Sequence, residues 1–93
     1  MATQNPVKHD TENKKFYIKI DDQECLLQYI EIDEQTLDFA HTYVPPALRG
    51  QGLAGQVLKE AAEFAKKQNK KVIPSCSYAY HFFSRHSEYK DLV

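Results

Sequence analysis

The three glycines of this 93-residue chain lie within six consecutive positions, and an arginine directly precedes the first of them. The run reads Arg49-Gly50-Gln51-Gly52-Leu53-Ala54-Gly55. Backbone N–H groups at a helix N-terminus carry partial positive charge, and glycines let a phosphate group approach that backbone closely. The planar guanidinium of an arginine suits phosphate oxygens. The run therefore indicates a pyrophosphate site, with a ligand-free turn shaped by glycine as the alternative.

Two better-known phosphate-binding motifs do not fit this run. A P-loop needs Gly-Lys-Ser or Gly-Lys-Thr, whereas Gln56 and Val57 follow Gly55. The spacing of a dinucleotide fingerprint, Gly-x-Gly-x-x-Gly, is present, but the preceding predicted strand is antiparallel and ends at Pro45 and Pro46. We therefore interpret the match in spacing as a coincidence.

Two side chains outside the run could serve as a nucleophile and a base. Cys76 lies between a predicted strand that ends at Pro74 and a predicted helix, whose N-terminus would stabilise a thiolate. His41 lies two residues before Tyr43 on another predicted strand, and an imidazole that titrates near neutral pH suits a general base. The alternatives are a thiol that only packs and a histidine bonded to a neighbour or to water. Cys25 is interpreted as core packing.

Alternation of apolar residues with a period of two predicts three consecutive antiparallel strands. These strands are predicted at residues 15–20, 24–33 and 36–44, with turns at Asp21-Asp22 and Glu34-Gln35. In the second strand both faces carry apolar side chains, such as Leu27 on one and Ile30 on the other, which predicts cover on both sides of the sheet. In the third strand, one face is expected to carry Leu37, Phe39, His41 and Tyr43.

Apolar residues at helical spacing predict a helix from Leu53 to near Asn69. Val72-Ile73 is predicted as a short fourth strand, and residues 78–85 as a second, shorter helix capped by Ser75 or Ser77. Because a helical crossover joins the third and fourth strands, those two are expected to be parallel. The predicted fold class is α/β, with a mixed, mostly antiparallel four-stranded sheet.

The chain ends are predicted to contribute little regular structure. Residues 1–12 are interpreted as a tail, in which a short extra edge strand at residues 7–9 is left open. Residues 87–93 are interpreted as a mostly polar tail whose Tyr89 and Leu92 can dock. The whole of residues 1–93 is expected to be a single domain with one small core.

The residues from Val44 to Ala54 resemble the acyl-CoA signature of the GNAT acetyltransferase superfamily, Val-x-Pro-x-x-Arg-Gly-x-Gly-x-Gly/Ala. The resemblance implies that the loop amides hold the pyrophosphate of coenzyme A and that the preceding strand end binds its pantetheine arm. The cofactor-binding residues so implied are Tyr43, Val44, Arg49, Gly50, Gln51, Gly52, Leu53, Ala54 and Gly55. By their position on the second helix, near the expected cofactor tail, Tyr80 and His81 are assigned to cofactor binding as well. Their neighbours Tyr78 and Arg85 could contact the cofactor or the acceptor, and a half-exposed helix face is the alternative for all four.

The second half of the chain matches the superfamily only in part. Counted from Val72, Ala79 matches, but Cys76 stands where the family often has asparagine and Phe83 where it often has the tyrosine that protonates the departing thiolate. The usual first helices and last two strands, which build much of the acceptor site, are also missing. The strand ends His-Thr-x-Val-Pro-Pro and Pro-x-Cys resemble those of a short GNAT-like subgroup.

The resemblance implies binding of acetyl-CoA and transfer of its acetyl group to an amine acceptor whose identity the sequence does not reveal. Cys76 could carry the acetyl group between donor and acceptor, or only line the site during direct transfer, with His41 as the base in either case. The alternative function is that of a non-catalytic acyl-CoA sensor or interaction module.

Composition argues against several other classes of function. Twelve basic and 13 acidic residues give a net charge of -1, so nucleic acid is not an expected partner, and the lysines at residues 66–71 are interpreted as a solvated helix end. No apolar run reaches the roughly 20 residues of a membrane span. Two distant cysteines predict neither a disulfide framework nor a metal site, and favour a cytoplasmic location. We expect a monomer or a weak dimer, because uncovered sheet edges can pair.

Overall fold

The computed structural model describes residues 6–93, and residues 1–5, the start of the predicted N-terminal tail, lie outside the described part. The strands are β1 (Lys8–Asp10), β2 (Lys15–Ile20), β3 (Gln23–Asp33), β4 (Thr36–Tyr43) and β5 (Lys71–Ile73). The helices are α1 (Leu53–Lys67) and α2 (Ser77–Arg85), with short 3-10 helices at Pro46–Leu48 and Ser87–Leu92. The five strands form one sheet in the order β1-β2-β3-β4-β5, in which only β4 and β5 are parallel. The predicted mixed α/β fold is confirmed.

The short N-terminal strand that the sequence leaves open is present as β1, which pairs antiparallel with β2. His9 fixes it to the core, because its ring stacks on Phe16 with centroids 4.0 Å apart and its Nε2 lies 2.6 Å from the Tyr29 hydroxyl. Burial lowers the pKa of His9 below its usual value. A neutral imidazole therefore links β1 to β2 and β3.

The sheet has a core face and an open face. Core residues of β2, β3 and β4, such as Ile18, Leu27 and Phe39, join the apolar stripe of α1 in one buried cluster. Ile30, on the other face, is 53% exposed. The prediction that the sheet is covered on both sides is therefore wrong, because within residues 6–93 α1 and α2 both contribute to that single core and no second layer covers Ile30.

A β-bulge interrupts the alternation of side chains in β4. Gln28 of β3 lies opposite His41, but the next residue of β3, Tyr29, lies opposite Phe39, so Ala40 is an extra residue in β4. Two residues oppose one at a bulge, and the faces of the strand exchange beyond it. The predicted common face of Leu37, Phe39, His41 and Tyr43 is therefore wrong for the last two residues. Thr42 is buried on the core side opposite Leu27, whereas His41 and Tyr43 are exposed on the open face.

The C-terminal residues contribute to the core. Tyr89 and Leu92, on the 3-10 helix Ser87–Leu92, are buried, and the Tyr89 hydroxyl donates a hydrogen bond of 2.5 Å to Oε2 of Glu63 on α1. Burial and the neighbouring carboxylate raise the pKa of Tyr89 above its usual value, so the phenol stays a protonated donor at neutral pH. This bond ties the chain end to the central helix.

Substitution Tyr89→Phe should lower the free energy of unfolding by about 1.5 kcal/mol, because the charged Glu63 loses its donor while the ring is kept. Urea denaturation would measure this. Tyr80→Phe is the matched control, since Tyr80 is 61% exposed and its hydroxyl makes no hydrogen bond within residues 6–93. Equal losses of stability in the two variants would contradict the role assigned to the Tyr89 hydroxyl.

Candidate functional site

The loop between β4 and α1 has a backbone that only glycine adopts readily. Gly50 and Gly52 have φ angles of 80° and 74°, in the left-handed region that side chains disfavour. Nε of Arg49 donates a hydrogen bond of 3.0 Å to the Val44 carbonyl, which fastens the loop to the end of the strand. The predicted order of strand, glycine loop and helix is present. Gly55, in contrast, has a helical backbone with open space where a Cβ would lie.

The N-terminus of α1 is free to accept an anion. Gly52 is the N-cap without a side-chain cap, the first turn holds no acidic residue, and the first intrahelical bond runs from the Gln56 N–H to the Gly52 carbonyl at 3.2 Å. The N–H groups of the three residues between them therefore have no intrahelical partner. Together with the dipole of the helix, they give this end of α1 a partial positive charge.

A cavity of about 210 Å³, called here the loop cavity, lies beside this helix end. Its lining consists of Val44, Leu48, Arg49, Gly50, Gly52, Leu53, Ala54 and Tyr78. Most residues that the sequence assigns to cofactor binding are thus brought together here. Gln51 and Tyr43 do not line it: Gln51 Nε2 reaches the Ala47 carbonyl at 3.4 Å, and Tyr43 is exposed on the open face.

A second cavity of about 240 Å³ lies next to the loop cavity, between α1 and α2, and is called the helix groove. It is lined by Ala54, Gly55, Leu58, Tyr78, His81, Phe82, Arg85 and His86. Ala54 and Tyr78 border both cavities, so the two are adjacent. Of the sequence-assigned pair on α2, His81 lines the groove and the strongly exposed Tyr80 lines neither cavity. Tyr78 and Arg85, the other two residues of α2 named as candidate contacts, also line the groove, and Arg85 shares a helix face with His81.

Cys76 is the N-cap of α2, so the prediction that Ser75 or Ser77 caps this helix is wrong. Its Sγ accepts a hydrogen bond from the Ala79 N–H at 3.3 Å, and its own N–H donates to the Phe39 carbonyl at 3.1 Å. The extended backbone at residue 76 turns the thiol toward the first turn of the helix, where the capping acceptor must lie.

Thr42 is a second neighbour of Cys76 that the sequence analysis missed. Its buried hydroxyl lies 3.1 Å from the Cys76 Sγ. When the sulfur is an anion, only the hydroxyl can be the donor of this bond. In the sequence, the only sign of this role is that Thr42 is a polar residue within a predicted strand. The alternation of apolar residues does not reveal the bulge that brings Thr42 to the core side.

The structure does not bring His41 and Cys76 together. His41 is exposed on the open face of β4, whereas Cys76 meets the same strand from the core side at Thr42. Cys25 is completely buried, and burial raises the pKa of its thiol to about 11, which fits the predicted packing role.

In the part of the chain that the structure describes, no group of three or more His, Cys, Asp or Glu side chains could hold a metal ion. None of the described helices is long and apolar enough to span a membrane. An open hollow of about 530 Å³ lies near the β3–β4 turn, but Glu31, Asp33 and Glu34 line it beside Lys70, so it repels phosphate.

Similarity to known proteins extends over most of the chain. The model of the GCN5-related N-acetyl-transferase family matches residues 15–92. Protein NATD1 of Xenopus tropicalis is 31% identical over 74 residues, which are 77% of this chain and 68% of that protein. Protein NATD1 of Danio rerio is 28% identical, covering 100% of this chain and 88% of its own length. A solution NMR structure of a GCN5-like protein from Staphylococcus aureus has a TM-score of 0.76 and 31% identity, covering 98% of this chain and 89% of that one.

Substitution Thr42→Val should lower the free energy of unfolding by about 1 kcal/mol, because the Cys76 Sγ loses its hydroxyl partner while the shape of the side chain is kept. Thr42→Ser keeps the hydroxyl and is the matched control. Urea denaturation would measure both variants. A free energy of unfolding for Thr42→Val equal to that of the wild type would contradict the contact.

Proposed function

This chain belongs to the GCN5-related N-acetyltransferase family, and we propose that it binds acetyl-CoA in the loop cavity and transfers the acetyl group to an amine. The observation that supports this proposal most directly is the uncapped N-terminus of α1 beside Arg49. Backbone amides, a helix dipole and a guanidinium together suit a pyrophosphate. Nε of Arg49 is occupied by the Val44 carbonyl, which leaves the other guanidinium N–H groups for phosphate oxygens.

The free edge of β4 suits the pantetheine arm. β5 pairs with β4 only from Thr36 to Asp38, and beyond this point the Cys76 N–H bonds to the Phe39 carbonyl. From residues 41 to 43, β4 is paired with β3 on one edge and has no strand on the other within residues 6–93. Unpaired strand groups are ready to hydrogen-bond an extended chain with amide groups.

The chain's own residues fit two routes of transfer. In the direct route, the amine attacks the thioester carbonyl, the carbon–sulfur bond breaks, and the proton of the amine passes to the departing thiolate of coenzyme A, while Cys76 only lines the site. In the two-step route, the Cys76 thiolate attacks the same carbon and displaces coenzyme A as its thiolate. The amine then attacks the acetyl group on Cys76, the Cys76 thiolate leaves, and the proton of the amine passes to the coenzyme A thiolate or to water. The Thr42 hydroxyl and the Ala79 N–H stabilise the Cys76 thiolate. His41 lies across the strand from Cys76, so it can serve only as a base for an amine that arrives from the open face.

A non-catalytic acyl-CoA sensor remains the second candidate function, because of the surroundings of Phe83. This residue, which stands where the family often has tyrosine, is buried with its ring centroid 5.9 Å from that of Phe39. A phenylalanine supplies no proton to a departing thiolate. Without this acid an enzyme loses little of its rate of acetyl transfer, because thiolates leave readily, and a sensor, which transfers nothing, is not affected.

An NMR titration with acetyl-CoA should move the backbone amides of Val44, Gly50, Gly52 and Leu53 to saturation, while NADH at the same concentration should not. Arg49→Gln should weaken binding by about tenfold, through loss of charge-assisted bonds. Lys67→Gln, which removes one charge at the far end of α1, is the matched control. If acetyl-CoA moved none of these amides, the proposal would be wrong. Release of coenzyme A on addition of amines to the saturated protein distinguishes the enzyme from the sensor.

The variant Cys76→Ser separates the two routes, because a serine keeps a capping acceptor for α2 but is a much weaker nucleophile. The two-step route predicts that wild-type protein gains one acetyl group on Cys76 when acetyl-CoA is supplied without an amine. It also predicts that turnover in Cys76→Ser falls by about a thousandfold or more. Direct transfer predicts no adduct and turnover within about tenfold of wild type. Intact-protein mass spectrometry and a coenzyme A release assay provide the two measurements.

A further inference from the structure

Basic side chains line two neighbouring hollows along α2. The helix groove of about 240 Å³ adjoins a shallow hollow of about 480 Å³, and Tyr78, His81 and Arg85 border both. Within residues 6–93, the lining of these two hollows includes three basic side chains and no acidic one.

Two of the three basic side chains are available for a ligand. His86 is engaged, because its Nδ1 lies 3.3 Å from Oε2 of Glu88 and its ring stacks on Phe82 at 4.2 Å. Arg85 is exposed and forms no ion pair with any residue from 6 to 93, and the same holds for His81. An exposed arginine and histidine one helical turn apart on the same face form an anion-binding pair.

Arg85 and His81 lie where a nucleotide bound in the loop cavity would extend. The helix groove adjoins that cavity, because Ala54 and Tyr78 line both. From Tyr78 to Arg85 the helix rises by about 10 Å. A nucleotide whose pyrophosphate lies at the N-terminus of α1 can therefore extend along the groove, with a phosphate on its ribose reaching Arg85.

The geometry points to Arg85, assisted by His81, as the residue that binds the 3′-phosphate of the coenzyme A ribose. This inference rests on the proposed binding of acetyl-CoA. A ribose 3′-phosphate is a dianion, and a guanidinium binds such a group through two parallel N–H bonds. Arg85 then determines cofactor specificity: it selects coenzyme A thioesters that carry the 3′-phosphate over those that lack it.

The test compares acetyl-CoA with acetyl-3′-dephospho-CoA by isothermal titration calorimetry on the full chain. Wild-type protein should bind acetyl-CoA about tenfold more tightly than the dephospho compound. Arg85→Gln should weaken binding of acetyl-CoA about tenfold, and should leave the dephospho compound unchanged, so that the preference disappears. His81→Asn should reduce the preference in part. Lys67→Gln, which removes an exposed charge outside the groove, should keep it.

Three outcomes overturn this inference. If the wild type binds both compounds equally, the 3′-phosphate is not recognised. If Arg85→Gln keeps the wild-type preference, another residue reads the phosphate. If the wild type binds neither compound, the proposed function fails together with the inference, and this result differs from the other two because acetyl-CoA itself does not bind. If Arg85→Gln loses its fold, it binds both compounds more weakly by the same factor. Arg85→Lys is then the deciding variant: it keeps the charge but not the two parallel N–H groups, so its preference for acetyl-CoA should lie between those of the wild type and of a protein without the charge.

Discussion

The extra residue at Ala40 in β4 is the constraint on which the candidate site depends. With regular alternation, Thr42 would face the open side and His41 the core, and the hydroxyl could not reach Cys76. The bulge exchanges these faces, so that Thr42 contacts Cys76 and Val44 lines the loop cavity. It lies just beyond the short pairing of β4 with β5, where the strand gains a free edge. One inserted residue thus sets both the thiol environment and the strand edge proposed for the cofactor arm.

The one-sided core explains why the site lies where it does. Within residues 6–93 the five-stranded sheet has one core, which α1 and α2 both join. The two helices contact each other, and the loop cavity and the helix groove are lined by the start of α1 and by side chains of α2. His41 lies on the open face, where it can contact only a molecule that approaches β4 from the side opposite the core.

The sequence predicted features that depend on local chemistry and missed those that depend on pairing. The proline pair after β4, the glycines of the loop and the apolar stripe of α1 each act within a few residues, so their patterns predict strand end, turn and helix. The bulge at Ala40 arises from the register of two strands, and no residue type announces it. The cap at Cys76 was missed because serines, the commoner caps, stand on both sides of it.

The surroundings of Cys76 join the candidate chemistry to the stability of the fold. Its backbone bonds to Phe39, its sulfur caps α2, and the adjoining Phe83 packs against the Phe39 ring. A tyrosine at residue 83 would have to bury a hydroxyl beside this ring and find it a partner, at a cost in stability. Because a thiolate departs without strong help from an acid, a small protein can use the position for apolar packing. The loss of the usual tyrosine is therefore consistent with acetyl transfer in which the remaining polar groups, above all Thr42, hydrogen-bond the Sγ of Cys76.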